Sequence, residues 1–311
     1  MNMENYPLVS FCVIAYKAED YICEAVQAAF NQDYPNIEII LSDDGSPDNT
    51  YSIMKEMVTS YKGPHKIVLN QNKTNIGPRE HYCKVLYDLT QGEILIIADG
   101  DDISLPNRTS VTVDIMQRNP EISSLSFNSE LIDERGEYIS SQRKELKSDR
   151  YYSIFTLSDY TRFDFFVFSD DSRAFRRKVI DSFPKLKYPF AEDIYLFLRC
   201  LYVGPIAYVR QPLVKYRQHN NSIMGKSRLK KRVSKVEKNA FKNKSEKQIW
   251  EDFYYSIENG YIDKEDEIEM TQKLHKLIKW LRPKHMYMIH RAVRKFLRII
   301  SKKSYEMAYS I

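Results

Sequence analysis

No stretch of these 311 residues approaches the roughly 18 consecutive apolar residues that a membrane-crossing helix needs. Met1 to Tyr6 is polar and leads straight into an apolar run, so no signal peptide is expected. Cysteine is scarce, and Cys12, Cys23, Cys83 and Cys200 stand singly with no C-x-x-C pair. The reading is buried free thiols in a reducing cytosol. Glycine-built phosphate loops are missing as well. Without a G-x-G-x-x-G a dinucleotide-dependent dehydrogenase is excluded. Gly225-Lys226-Ser227 has Asn220 where a P-loop needs its first glycine, and no strand directly precedes it. Internal repeats are absent too.

What is present is the composition of an ordinary globular protein, 43% hydrophobic and 29% charged. The net charge of +5 hides an asymmetry. Residues 225–311 carry 22 Lys+Arg against 11 Asp+Glu, a net of +11, which leaves −6 for residues 1–224. A nucleic-acid reader carries its basic surface on the folded reading domain. Here that domain is the acidic part, so no nucleic-acid partner is expected. The shift in composition places a boundary at about 225, between a folded domain (1–224) and a basic helical extension (225–311).

The first half alternates regularly. Val9 to Ala15 reads as a strand, and Ile22, Ala25, Val26, Ala29 and Phe30 give a helix over about Glu19 to Asn31. Ile37 to Leu41 is a second strand, ending in Asp43-Asp44-Gly45. Ser46-Pro47 has the chemistry of a helix start, with Ser as N-cap. Ile53, Met54, Met57, Val58 and Tyr61 supply that helix's buried stripe. A strand at Lys66 to Leu69, a helix carrying Tyr82, Val85, Leu86 and Leu89, and a strand at Ile94 to Ala98 complete β-α-β-α-β-α-β. This pattern predicts an α/β fold, a mostly parallel sheet with helices on both faces. After Arg108 the regularity weakens. Ser123 to Ile132 reads as a strand, and residues 137–165 give no clear element. Short helices begin at Arg177 and Asp193, and Ile206 to Val209 with Leu213 to Tyr216 reads as a closing strand pair.

Ligands of open parallel sheets bind beyond the carboxyl ends of the strands. Two strands here end in acidic clusters, Asp43-Asp44 and Asp99-Gly100-Asp101-Asp102. Carboxylates gathered at one sheet mouth repel, so a cation or a set of donors is expected to compensate them. Hard cations such as Mg²⁺ or Mn²⁺ take oxygen ligands, and one or two carboxylates plus substrate phosphates suffice. A bare D-x-D also describes an acidic surface turn, and Asp43 to Ser46 also describes a capped turn. Glu192-Asp193, after Tyr188-Pro189-Phe190-Ala191, offers either a general base or an acidic first-turn cap. In Tyr216-Arg217-Gln218-His219-Asn220-Asn221-Ser222, Arg217 could meet phosphate and His219 a metal; the bland reading is a polar loop.

Together these pieces resemble the family 2 glycosyltransferases of GT-A fold, over about Leu8 to Ser222. Leu8 to Tyr16 is similar to the family's opening strand. Phe30 to Asp48 is similar to its second-strand signature, Asn75-Ile76-Gly77 to its N-x-G turn, and Gly92-Glu93-Ile94 to the lead into the metal-binding Asp99-Gly100-Asp101-Asp102. Glu192-Asp193 matches the acceptor-side motif, and Gly204 to His219 the segment that closes over the donor. The resemblance implies a GT-A-like, Rossmann-type domain with a nucleotide-sugar half at about 1–108 and an acceptor half at about 109–224. It implies nucleotide-sugar contacts at Ala15, Tyr16, Glu19, Asp43, Asp44, Arg79, Asp99, Gly100 and Arg217. Metal (Mn²⁺ or Mg²⁺) would be held by Asp101, Asp99 and His219, and Asp193 would be the catalytic base. The implied activity is metal-dependent, inverting transfer of one sugar from a UDP-sugar, or a dTDP- or GDP-sugar. The acceptor would be a saccharide or lipid-linked saccharide, in cell-surface polysaccharide synthesis.

Lys17 departs from the pattern, where Asn is common, and so does Gly100, where Ala or Ser is usual. The Gln-x-x-Arg-Trp motif of processive synthases is absent, which favours single-sugar transfer. A sugar-1-phosphate nucleotidyltransferase would open with a Gly-rich loop containing Arg, whereas the first turn here is Tyr16-Lys17-Ala18-Glu19. A non-catalytic nucleotide-sugar-binding protein is the other alternative. In the tail, Leu274, Leu277, Ile278 and Leu281 form one apolar stripe. Met286, Ile289, Val293, Phe296, Leu297 and Ile300 form a second, flanked by Arg291, Arg294, Lys295, Arg298 and Lys302. Such a face suits an anionic membrane surface or a second subunit, so the chain is expected in the cytoplasm, peripheral on the inner membrane face or dimeric.

Overall fold

A computed structural model of the chain describes residues 6–141, 151–157, 159, 173–187, 192–219 and 235–280. The chain divides into two compact units, Met1–Lys231 and Arg232–Ile311. The first is built on β1 (Val9–Ala15), β2 (Ile37–Asp43), β3 (Lys66–Gln71) and β4 (Ile94–Asp99), all parallel, in the order β3-β2-β1-β4. The helices between them are α1 (Ile22–Phe30), α2 (Thr50–Ser60) and α3 (Pro78–Lys84), which runs on into a π turn at Val85–Leu89. Beyond β4 come β5 (Ile103–Ser104), α4 (Arg108–Arg118), β6 (Ser124–Ile132), β7 (Tyr138–Ser141), β8 (Tyr152–Phe155), β9 (Arg173–Arg176), α5 (Arg177–Asp181), α6 (Glu192–Val203) and β10 (Ile206–Arg217). The sheet continues β4-β9-β6-β10-β5, with β7 on β6 and β8 on β10. Strands β6 and β10 are parallel to each other, and β9 joins β4 to β6 antiparallel. This is the α/β fold expected; its first four strands are parallel, and beyond them antiparallel pairings accompany the parallel β6–β10 pair.

Alternation along the strands sets the two faces. Phe11, Val13, Ile39, Leu41, Ile94 and Ile96 point to one side, into a core with Ile22, Val26 and Ala29 of α1, Met54 of α2 and Val113 and Met116 of α4. Cys12, Ile40, Leu95 and Ile97 are buried on the other side, as are Val85 and Leu86 of the π turn. Each such side chain, fully buried, contributes about 1.5–3 kcal/mol. Cys12, Cys23, Cys83 and Cys200 are free thiols; Cys12 and Cys200 are buried, Cys83 partly so and Cys23 exposed. Burial raises the Cys200 thiol to about 11.

Three local readings differ from expectation. Helix α2 begins at Thr50, not at Ser46-Pro47, because Ser46 is drawn back onto the Asp43 carboxylate and Asp48 Oδ1 accepts the Thr50 N–H at 3.1 Å. The expected closing strand pair is one strand, β10, lying along β6. Its register shifts on either side of Pro212, which has no N–H to give the ladder, and the bulge re-joins the same neighbour. The unread region 137–165 contributes β7 and β8, and a further unanticipated strand, β9, follows at Arg173–Arg176, each of four residues.

The second unit holds α7 (Lys235–Glu258) and α8 (Glu267–Trp280), linked through a 3₁₀ turn at Lys264–Asp266. Leu274 of the first apolar stripe is buried, as is Met270 one turn before it, and Trp250 packs edge-on against His275 at 4.9 Å. The second stripe, Met286 to Ile300, lies outside the described residues. Among the described residues no helix is long and apolar enough to cross a membrane.

Candidate functional site

Strand β1 lies between β2 and β4, and its register sets Ala15 opposite Asp43 and Ile14 opposite Asp99. The two acidic clusters therefore flank one residue, Ala15, at the carboxyl edge of the sheet. Backbone bonds fix both: Asp44 donates its N–H to the Ala15 carbonyl at 2.9 Å, and Gly100 donates to that of Ile14 at 2.8 Å. A Cβ on Gly100 would stand 2.7 Å from the Ala15 Cβ. That approach explains why glycine occupies the centre of this D-x-D.

On the β2 side both carboxylates are buried and engaged. Asp43 accepts the Ser46 N–H at 3.0 Å, the Ser46 hydroxyl and the Gln71 amide at 3.2 Å. Asp44 accepts the Asn72 amide at 2.8 Å and the N–H groups of Ile76 and Gly77 at 3.0 and 2.9 Å. Asp44 thus clamps the loop that enters α3. Gly45, at φ +65°, lets that loop approach, since a Cβ there would meet Thr74 and Asn75 backbone at 2.7 and 3.0 Å. Tyr16 stands 44% exposed above Ala15, the adjoining Lys17 is left-handed at φ 56°, and Glu19 accepts both the N–H and the side-chain amide of Asn49. Arg79 is half-buried in the first turn of α3.

On the β4 side, Asp99, Asp101 and Asp102 present carboxylate oxygens within 4.8 Å of one another. This all-oxygen set suits a hard divalent cation. His219 Nε2 lies 2.9 Å from Asp101 Oδ2, and its ring packs on Tyr21 at 4.7 Å. Arg217 is only 2% exposed. Its N–H reaches Asp102 Oδ1 at 2.8 Å, its Nε the Asp101 carbonyl at 2.9 Å, and its outer nitrogens the Glu134 carbonyl and Glu24 at 3.1 Å each. The guanidinium also lies over the Tyr21 ring at 4.8 Å. Arg217 therefore latches the acidic loop to α1 and to the β6–β7 turn, and offers little surface to a ligand.

A second buried cation was not anticipated. Arg108 is fully buried, donates to Ser104 Oγ at 2.8 Å and the Ile97 carbonyl at 2.6 Å, and is flanked by the Phe11 and Phe127 rings. Burial lowers its pKa to about 10 against the pull of Asp102 and Asp99. It grips the acidic loop at both ends. Arg108 thus places a buried positive charge near Asp102 and Asp99, and the Arg217 backbone N–H satisfies Asp102 Oδ1. The only hint of Arg108 in the sequence is its position four residues after Ser104.

Asp193 belongs to the first turn of α6, where side chains before Tyr195 are outside the described ones, as are residues 188–191 and 220–222. The other end of α6 meets the amino edge of the sheet, where Ser123 contacts the Gly204 carbonyl at 3.1 Å. A helix of this length spans about 18 Å.

Residues 10–183 match the family model described as "Glycosyl transferase family 2". A protein of Haemophilus influenzae named "Uncharacterized glycosyltransferase" is 31% identical over 225 residues, 70% of this chain and 68% of that one. Two further curated relatives, of Bacillus subtilis and Haemophilus influenzae, are matched over 47% and 44% of their own length. Among solved structures, S. aureus TarS 1–349 in complex with UDP-GlcNAc aligns with a TM-score of 0.53 at 16% identity, over 84% of this chain and 77% of that one. GalNAc-T7 with UDP, GalNAc and Mn²⁺ aligns with a TM-score of 0.54 at 14% identity, over 70% of this chain and 45% of that one. These two likenesses bear on the fold.

Proposed function

From the premise that the chain belongs to glycosyl transferase family 2, we propose that it moves one sugar from a nucleoside-diphosphate sugar to an acceptor hydroxyl with inversion. The observation that carries the reading is the placement of both acidic clusters beside Ala15 at the carboxyl edge of a parallel sheet. The donor is a UDP-sugar by preference, in line with the UDP-GlcNAc and UDP held by the two structural neighbours. Its nucleoside lies at the Tyr16 and Asp43–Asp44 side, with Ala15 and Gly100 beneath it, Glu19 holding the first turn and Arg79 toward the diphosphate.

Asp99 and Asp101, with His219, would hold Mg²⁺ or Mn²⁺, and the carboxylate oxygens gathered there fit such a cation. When bound, it offsets charge on the departing nucleoside diphosphate. Arg108 and Arg217 keep the loop in place and limit carboxylate repulsion. Asp193, in the first turn of α6, takes the proton of the acceptor hydroxyl. The hydroxyl oxygen bonds to the anomeric carbon from the face opposite the leaving diphosphate, whose bond breaks with its electron pair. The acceptor is a saccharide or lipid-linked saccharide met on the cytoplasmic side.

Incubation with UDP-, GDP- and dTDP-sugars, reading nucleotide release and product by mass, tests the reading. Transfer should stop in EDTA and return with Mn²⁺ or Mg²⁺. Asp193→Asn should lower kcat by about 10²–10⁴-fold, the usual contribution of a placed base, with donor binding retained. Full turnover in chelator, or an unchanged kcat in Asp193→Asn, overturns the corresponding assignment.

A further inference from the structure

The loop clamped by Asp44 is tied, through a chain of buried polar groups, to a histidine that the chemistry above does not use. His81 of α3 is 1% exposed, and its Nε2 lies 2.6 Å from the hydroxyl of Ser42, itself fully buried on β2. Ser42 Oγ also accepts the Asn70 amide at 2.9 Å. Lys84, one turn along α3, reaches Asn70 Oδ1 at 3.4 Å and Asn72 Oδ1 at 2.6 Å. Asn72 then donates to Asp44 at 2.8 Å, and Asp44 holds Ile76 and Gly77. The His81 N–H closes the circuit on the Gly77 carbonyl at 2.9 Å.

Polarity in this circuit is set by one group. An ammonium only donates, so both asparagines turn their carbonyl oxygens to Lys84 and their NH₂ groups outward. The Asn70 amide must then donate to Ser42, which leaves the Ser42 hydroxyl hydrogen for His81. His81 Nε2 accepts it, and the ring proton sits on Nδ1; this tautomer follows from the network. The lock works only with a neutral imidazole. A proton on Nε2 would take away the acceptor of the Ser42 hydroxyl hydrogen and force that hydroxyl to turn away from its place in the circuit.

We infer that His81 is a positioning residue, whose neutral ring locks the Asn72–Gly77 loop against Asp44 and whose protonation releases it and weakens donor binding. This rests on the reading of that edge as the nucleotide-sugar pocket. Burial lowers the ring's pKa and Lys84 adds to this, while Asp44 and Asp43 at the end of β2 pull the other way. Burial is the largest of these influences, so the lock is closed near neutral pH and opens on acidification.

The test is amide exchange on the full chain at Ile76 and Gly77 between pH 7.5 and 5, corrected for intrinsic rate, with UDP affinity measured in parallel. Wild-type protection should fall about tenfold or more toward pH 5, as one buried hydrogen bond is lost. His81→Gln can accept from Ser42 but cannot charge, so its protection should be flat with pH. Any acid step belonging to Asp43 or Asp44 would persist in that variant and overturn the assignment, as would flat wild-type protection. Ser42→Ala gives an independent arm: it should already expose the two amides at pH 7.5, and wild-type protection there also overturns the lock. UDP affinity that ignores loop release overturns the link to donor binding. A chain whose loop opens as described but which binds no nucleotide at any pH supports the lock and counts instead against the pocket's assignment.

Discussion

At the scale of single residues, Lys17 is the one described non-glycine residue with positive φ. An L-residue with an ordinary side chain is disfavoured there by about 1–2 kcal/mol, which asparagine partly escapes and glycine wholly. The strain is held in place by the Lys17 N–H donating to Ser46 Oγ at 2.9 Å and by Asp43, which in turn holds Ser46. The family habit of Asn at this position thus has a backbone cause. Lys17→Gly should raise stability by about 0.5 kcal/mol, the relief less the added chain entropy. Urea unfolding reads this directly, and a lower midpoint for the variant would mean that the ammonium over the Tyr16 ring at 5.4 Å matters more than the backbone.

At the scale of elements, the ends of β1 and β4 behave as one unit because of the Ala15–Gly100 approach. Gly100→Ala forces the two strand ends apart and should cost about 1–3 kcal/mol, as overpacking does. Adding Ala15→Gly should restore most of it. Equal urea midpoints for the single variant and wild type would show that the strand ends yield at no cost. Elements of this first half were readable in the sequence because the strands are short, mostly apolar runs alternating with helical spacing, and two of them, β2 and β4, stop at acidic clusters. Even the pairing of Asp43 with Asp99 across β1 follows once β1 lies in the middle. Strands β7, β8 and β9 were not readable, since four residues are too few to carry a period, and β8 and β9 take their pairing from strands far away in the sequence, β4, β6 and β10. The roles of Arg108 and Arg217 were hidden for a related reason. Arginine is expected at the surface, and only the tertiary structure shows both guanidinium groups buried beneath the acidic loop.

At the scale of the whole molecule, the basic extension poses a separate question from the site. We propose that residues beyond Met270 seat the protein on an anionic membrane surface, where each basic side chain contributes about 1 kcal/mol. Vesicle flotation with the full chain should increase with anionic lipid, weaken with salt and vanish for a chain ending at Met270. A full chain that stays in solution, with a dimer lost on truncation, would assign the tail to self-association. The acidic loop raises another whole-chain matter, that of timing. Asp101 and Asp102 are synthesised 115–118 residues before the Arg217 and His219 that hold them. At about 5–20 residues per second that is an interval of roughly 6–24 s. During it the first four strands can already be present, while three crowded carboxylates wait without their latch. A nascent chain released early would carry the acidic loop without the Arg217 and His219 contacts that hold it.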